Sequence, residues 1–142
     1  MANYDATIRT NYFSVKDEKA FRKLMESVNA EAEIHIFEQE MYDGSKKFGF
    51  GCYGAISGIC AVSDEDEYPD IDGCIQEALQ KLVCEDDAVI MVEIGYEKLR
   101  YVTGLGAVIT STEIRHIDVW HESLVAARLL LDNPNFQTQI DY

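Results

Sequence analysis

The sequence predicts an α+β domain: a mainly antiparallel β-sheet with about three helices packed on it, in the order β-α-β-β-β-α-β-β-β-α. Two kinds of apolar pattern carry that expectation. Three separated segments repeat apolar residues with helical spacing, and the stretches between them alternate or run continuously apolar, as strands do. Short turn signals, of which Asp43-Gly44 is the clearest, join those runs as hairpins, and hairpins pair antiparallel. At 142 residues, 47% hydrophobic and 27% charged, the chain has the size and composition of one globular domain over 1–142, with 1–8 as a mobile start.

Taken in order, TNYFSV (10–15) has strand character. Asp17 is placed to cap a helix, its carboxylate accepting from the free N–H groups of the first turn. Phe21, Leu24, Met25 and Val28 follow at i, i+3, i+4 and i+7, with Lys19, Arg22, Lys23 and Glu26 on the other faces. EAEIHIFEQEMY alternates through Ile34 and Ile36, then meets Asp43-Gly44, whose turn positions favour φ > 0. KKFGFGCYG returns as a strand, and AISGICAV continues extended after a bend at Gly54 or Gly58. Ile71, Cys74, Ile75, Ala78, Leu79 and Leu82 form a helical stripe of about 13 residues, with Asp70 as its cap. AVIMVEIGY (88–96) and RYVTGLGAVIT (100–110) are strands joined at Glu97-Lys98, and STEIRHIDV supplies another. The last helix begins near His121, carries Leu124, Val125, Arg128 and Leu131, and stops at Asn133-Pro134, because proline disfavours helical geometry in the residue before it.

Charge is the unusual bulk property. The chain carries 26 acidic and 12 basic residues, a formal net charge of −14. That balance argues against binding nucleic acid or an anionic membrane and favours a basic partner. Twelve of the acids fall between Asp64 and Glu97, where Lys81 is the one base, so this segment holds −11 of the total. Two clusters frame the predicted second helix, SDEDEYPDIDG (63–73) before it and CEDD (84–87) after it. Carboxylates at a helix start are welcomed by the dipole, whereas those after its end are disfavoured by roughly 0.3–1 kcal/mol each. The candidate partner-binding residues are therefore Asp64, Glu65, Asp66, Glu67, Tyr68, Asp70, Asp72, Glu85, Asp86 and Asp87, as an acidic ridge facing a basic surface. Tyr68 fits such a ridge, since tyrosine is enriched at interfaces. The plainer reading of the same residues is a set of hydrated loops that confer solubility.

Chemical motifs fail one by one, leaving no catalytic, cofactor or metal residues to name. GFGCYG (49–54) matches G-x-G-x-x-G, but a hairpin turn precedes it and a strand follows, where a dinucleotide site needs a helix. Its glycines instead leave room on one sheet face while Phe48 and Phe50 fill the other. His121-Glu122 opens like a zinc-protease motif, but Val125 stands where the second histidine belongs. A calcium loop starting at Asp64 would need Gly and Glu where Pro69 and Ile75 stand. No G-x-S-x-G occurs, and His35 and His116 read as ordinary polar residues. Cys52, Cys60, Cys74 and Cys84 form no C-x-x-C pair and read as buried free thiols. MANYDATIRTNYF lacks the apolar core of a signal peptide, and no apolar run approaches the roughly 20 residues of a membrane span, so the expected location is the cytoplasm.

Three stretches, TNYFSVKDEKAFRKLM (10–25), EIGYEKLRYVTGLGAVITS (93–111) and NPNFQTQIDY (133–142), resemble small proteins carried on conjugative elements and phages of gut Gram-positive bacteria. No activity is assigned to that group, so the resemblance transfers no functional residue. It implies a context in which cargo often counters host defence. The leading expectation is a non-enzymatic inhibitor of antirestriction or anti-CRISPR type, a nucleic-acid mimic whose carboxylates occupy the basic groove of a nuclease. The alternative is a housekeeping or assembly domain whose acidity serves solubility and whose surface carries an apolar oligomer patch. An enzyme with an unrecognised carboxylate site comes third and would require a deep pocket of convergent titratable groups.

Overall fold

The computed structural model describes residues 4–61, 70–99 and 101–139; over 57–61 and 70–73 it describes the backbone alone. The chain runs β1 (Asp5–Thr10), α1 (Glu18–Glu26), β2 (Val28–Ala30), β3 (Ile34–Glu40), β4 (Lys46–Cys52), β5 (Ile56–Ala61), β6 (Asp70–Gly73), α2 (Ile75–Leu82), β7 (Val89–Glu97), β8 (Tyr101–Ile109), β9 (Ile114–Asp118) and α3 (Val119–Leu130). The expected order holds, with the short strands β2 and β6 added. Six strands form one antiparallel sheet in the order β3-β4-β1-β7-β8-β9, and β2-β5-β6 form a smaller one.

Alternation along β1 buries Ala6, Ile8 and Thr10 and exposes Asp5, Thr7 and Arg9. Pairing carries this division across the sheet: Ile8 lies opposite Cys52 and Glu93, and Val89 opposite Ile109. One face thus presents Phe48, Phe50, Cys52, Val89, Ala107 and Ile109, and α1 and α2 cover it with Phe21, Leu24, Met25, Ile75 and Leu79. Phe13 meets the Phe21 and Phe50 rings edge-on at 5.7 and 6.4 Å, a preferred aromatic geometry. Each such ring, fully withdrawn from water, contributes about 1.5–3 kcal/mol of burial free energy. Thr10 is the buried polar residue of this core; its hydroxyl donates to the Asn11 carbonyl at 2.9 Å and accepts from the Phe50 N–H at 3.0 Å.

The other face of β4 explains GFGCYG. A Cβ at Gly49 would lie 2.9 Å from the Asn11 carbonyl oxygen, and one at Gly51 would lie 3.0 Å from that of Ile8. Above Gly51 the Phe37 ring carries the Arg9 guanidinium 3.9 Å from its centroid. The glycines are close-approach positions in a strand, so a helix-bound pyrophosphate has no place there.

Several expectations need correction. The first strand is Asp5–Thr10, not 10–15, so residues 5–8 stand in the centre of the large sheet instead of forming a mobile start. Phe13 and Val15 make only isolated bridges, to Phe48 and Val83. The second helix does not begin at Asp70. Residues 70–73 pair with β5 as β6, and α2 spans eight residues behind Cys74, which gives it no side-chain cap. The favourable dipole argument for Asp70 and Asp72 therefore lapses. Asp17 does cap α1, accepting from the N–H groups of Lys19 and Ala20. The Asp43-Gly44 hairpin forms as a loop closed by Met41 N–H to Ser45 C=O, with Gly44 at φ 86°. The last helix starts at Val119, two residues early, because Asp118 caps it. Cys74 is exposed and Cys84 half-buried, so Cys52 alone among the described thiols is buried.

Candidate interaction surface

The acidic ridge comes apart into three sets. Asp64, Glu65, Asp66, Glu67 and Tyr68 lie outside the described residues. Asp70 and Asp72 belong to β6, in the smaller sheet. Glu85 and Asp86 are exposed in the turn after α2, where the sequence placed them. Asp87, beside them, is committed to the fold. Its carboxylate accepts from the N–H groups of Ser14 and Ala88, both at 2.8 Å, and lies 3.5 Å from the Lys47 ammonium. Burial pushes its pKa up, but those two hydrogen bonds and Lys47 pull it down further, leaving it below the ordinary carboxylate value. An acid follows this helix end because Asp87 ties the segment after β1 to the start of β7.

Two histidines that sequence spacing separated share one cavity of about 410 Å³ on the covered side of the sheet. Its wall includes Glu93, His116, Asp118, His121 and Glu122 among Ile8, Ile56, Ile75 and Met91. Two of its polar groups already have partners. The His116 imidazole is hydrogen-bonded to Gln76, and the Asp118 carboxylate caps α3 through the N–H groups of Trp120 and His121. Among the described residues, no three His, Cys, Asp or Glu side chains converge as a metal site. No helix among them is long and apolar enough to cross a membrane.

The dominant exposed feature lies on the opposite side of the sheet. Ile90, Val92, Ile94 and Tyr96 of β7 point there, 41–61% exposed. Directly across from them stand Val108, Gly106, Gly104 and Val102 of β8, and Ile117 of β9 lies opposite Gly106. This row holds no charged residue until Arg115 of β9 on one side and Asp5 and Arg9 of β1 on the other. The glycines make room for neighbours, since a Cβ at Gly104 would lie 3.0 Å from the Val119 side chain. The result is a groove of about 550 Å³ walled by the β7 side chains and by Val119 and Trp120.

The helix that begins over this groove then leaves it. No residue of α3 is buried, and Val125, Leu129, Leu130 and Leu131 are 37%, 78%, 88% and 58% exposed. Its polar residues His121, Glu122, Ser123 and Arg128 leave apolar side chains on most sides, a pattern that belongs to buried helices. Arg128 also reaches back to the Phe136 carbonyl at 3.0 Å, holding the following segment against the helix. Together the β7–β9 face and α3 expose Ile90, Val92, Ile94, Val102, Leu129 and Leu130, and large exposed apolar groupings mark interaction sites.

None of these residues was singled out from the sequence, although a signal for them is present. VIMVEIGY is apolar at both parities of the strand, which is the mark of a strand covered on both faces. One cover is supplied by α1 and α2; among the described residues, only the start of α3 lies over the other. No family model matches this chain, and no curated protein and no solved structure matches it either.

Proposed function

We propose that the chain is a non-enzymatic association domain, carried by a mobile element, that buries the outer face of β7, β8 and β9 together with α3 against protein. The observation that supports this reading is a strand row without charge beside a helix without a buried residue. Its acidity then keeps a chain with such a surface soluble and limits unspecific contacts. Free thiols at Cys52, Cys74 and Cys84 suit a reducing compartment, so the cytoplasm is part of the proposal. Carbene footprinting tests it. Ile90, Val92, Ile94, Leu129 and Leu130 should label at least fivefold less inside expressing cells than in the dilute purified chain. Equal labelling in both settings would refute it.

A second reading is favoured by the −11 segment between Asp64 and Glu97, with Glu85 and Asp86 exposed at its centre. It makes the chain a nucleic-acid-mimicking inhibitor that occupies the basic groove of a nuclease. Reversing Glu65, Asp66, Glu85 and Asp86 to lysine, while sparing the structural Asp87, should abolish nuclease inhibition with the fold intact. Inhibition that survives the four reversals removes this reading.

A further inference from the structure

Resting on the association reading, we propose that the protein covering this face is a second copy of the same chain, with α3 of each copy laid along the outer row of β7 in the other. Both halves of such a contact are present in one molecule, and only the first turn of α3 is used within it, against Gly104 and the groove wall. The row offers an open apolar groove, and α3 offers the exposed Leu129 and Leu130, with Val125 part-exposed beside them.

Length and charge agree with that occupant. The row from Ile90 to Tyr96 spans roughly 20 Å at about 3.3 Å per residue. Helix α3, with 12 residues, is about 18 Å long at 1.5 Å per residue. Two copies of a chain at −14 repel each other except across a surface that lacks carboxylates, and the outer rows of β7, β8 and β9 lack them. Arg115 flanks the groove on one side and Arg9 with Asp5 on the other, while Glu122 stands near the start of the helix that would enter it. A helix-on-sheet contact made twice about a two-fold axis satisfies both copies at once and closes the assembly.

Sedimentation velocity from 1 to 100 µM tests the pairing. The purified chain should sediment as a dimer of the 16.1 kDa chain at the upper concentrations. Leu130→Glu and Val92→Lys should each weaken dimerisation at least 30-fold with an unchanged far-ultraviolet spectrum and thermal unfolding of the monomer, since both positions are exposed. Combined in one chain, the two opposite charges should recover at least tenfold of that loss. A chain that remains monomeric at 100 µM overturns self-pairing, and footprint protection in cells would then leave the association reading standing with a different partner. A dimer that dissociates with Val92→Lys but ignores Leu130→Glu overturns the seating of α3.

Discussion

The two faces of the large sheet are made from alternate residues of the same strands, yet only one of them is finished. On the covered face Phe48, Phe50, Val89 and Ile109 are at most 2% exposed beneath α1 and α2. On the other face the composition divides along the sheet. Strands β1, β3 and β4 present Thr7, Arg9, His35, Gln39 and Lys47, with Phe37 beneath the Arg9 guanidinium, whereas β7 and β8 present isoleucine, valine, glycine and Tyr96. The difference teaches that the apolar half is a localised departure from a sheet otherwise adapted to solvent. Helices α1 and α3 repeat the contrast. Both are capped by aspartate, but α1 buries Phe21, Leu24 and Met25 and α3 buries nothing.

The sharpest way to break the comparison is to truncate a core residue and an outer one of similar character. Phe50→Ala should cost about 3–5 kcal/mol in chemical denaturation. Ile94→Ala, on the open face, should cost the monomer less than about 1 kcal/mol, because no packed cavity is created. Comparable losses at both positions would mean that the outer face is already covered within the monomer.

Asp87 supplies the next test, at the seam between the two halves of the chain. Asp87→Asn should cost about 1.5–3 kcal/mol near neutral pH, as expected for hydrogen bonds to a charged group. Its folded-state pKa is lowered from 3.8, so the wild-type contribution is complete above that value. It is lost as pH falls through the folded value, and the two proteins should converge in stability below pH 3.8. A gap that stays constant down to pH 2 would locate the effect elsewhere.

The smallest effects compare the caps. Asp17→Ala should lower global stability by about 0.5–2 kcal/mol, because α1 is part of the core. Asp118→Ala should leave the denaturation midpoint of a dissociated chain nearly unchanged while reducing its helical signal, because α3 adds no buried residue. Equal midpoint shifts would show α3 to be integral to the monomer.

Legibility from sequence followed how many signals agreed at each place. Asp17 with Phe21, Leu24 and Met25 combined a cap and a stripe, and Asp43-Gly44 combined turn chemistry with flanking alternation. Both were readable. DATIRT was not, because its inward positions are Ala6, Ile8 and Thr10, and a buried threonine looks polar until its hydroxyl partners are known. Ile71 lay in register with the apolar stripe of α2, and that coincidence concealed β6. The acidic clusters were visible as composition, but the commitment of Asp87 depends on Ser14, 73 positions away. The open apolar face was encoded in the double-parity run of β7, which reads the same whether its second cover is internal or external.

The central place of β1 has a consequence for how the molecule assembles. The first strand must wait for β7, more than 80 residues later in the chain, before the sheet becomes continuous. Until then β3-β4 and β7-β8-β9 are blocks that share no strand pairing. Closure of so long a loop places the fold among the slower-forming topologies, those dominated by non-local pairing. During that interval the ribbon destined for the centre and the bare row of β7 are open together, so the chain's most aggregation-prone moment precedes the docking of β1.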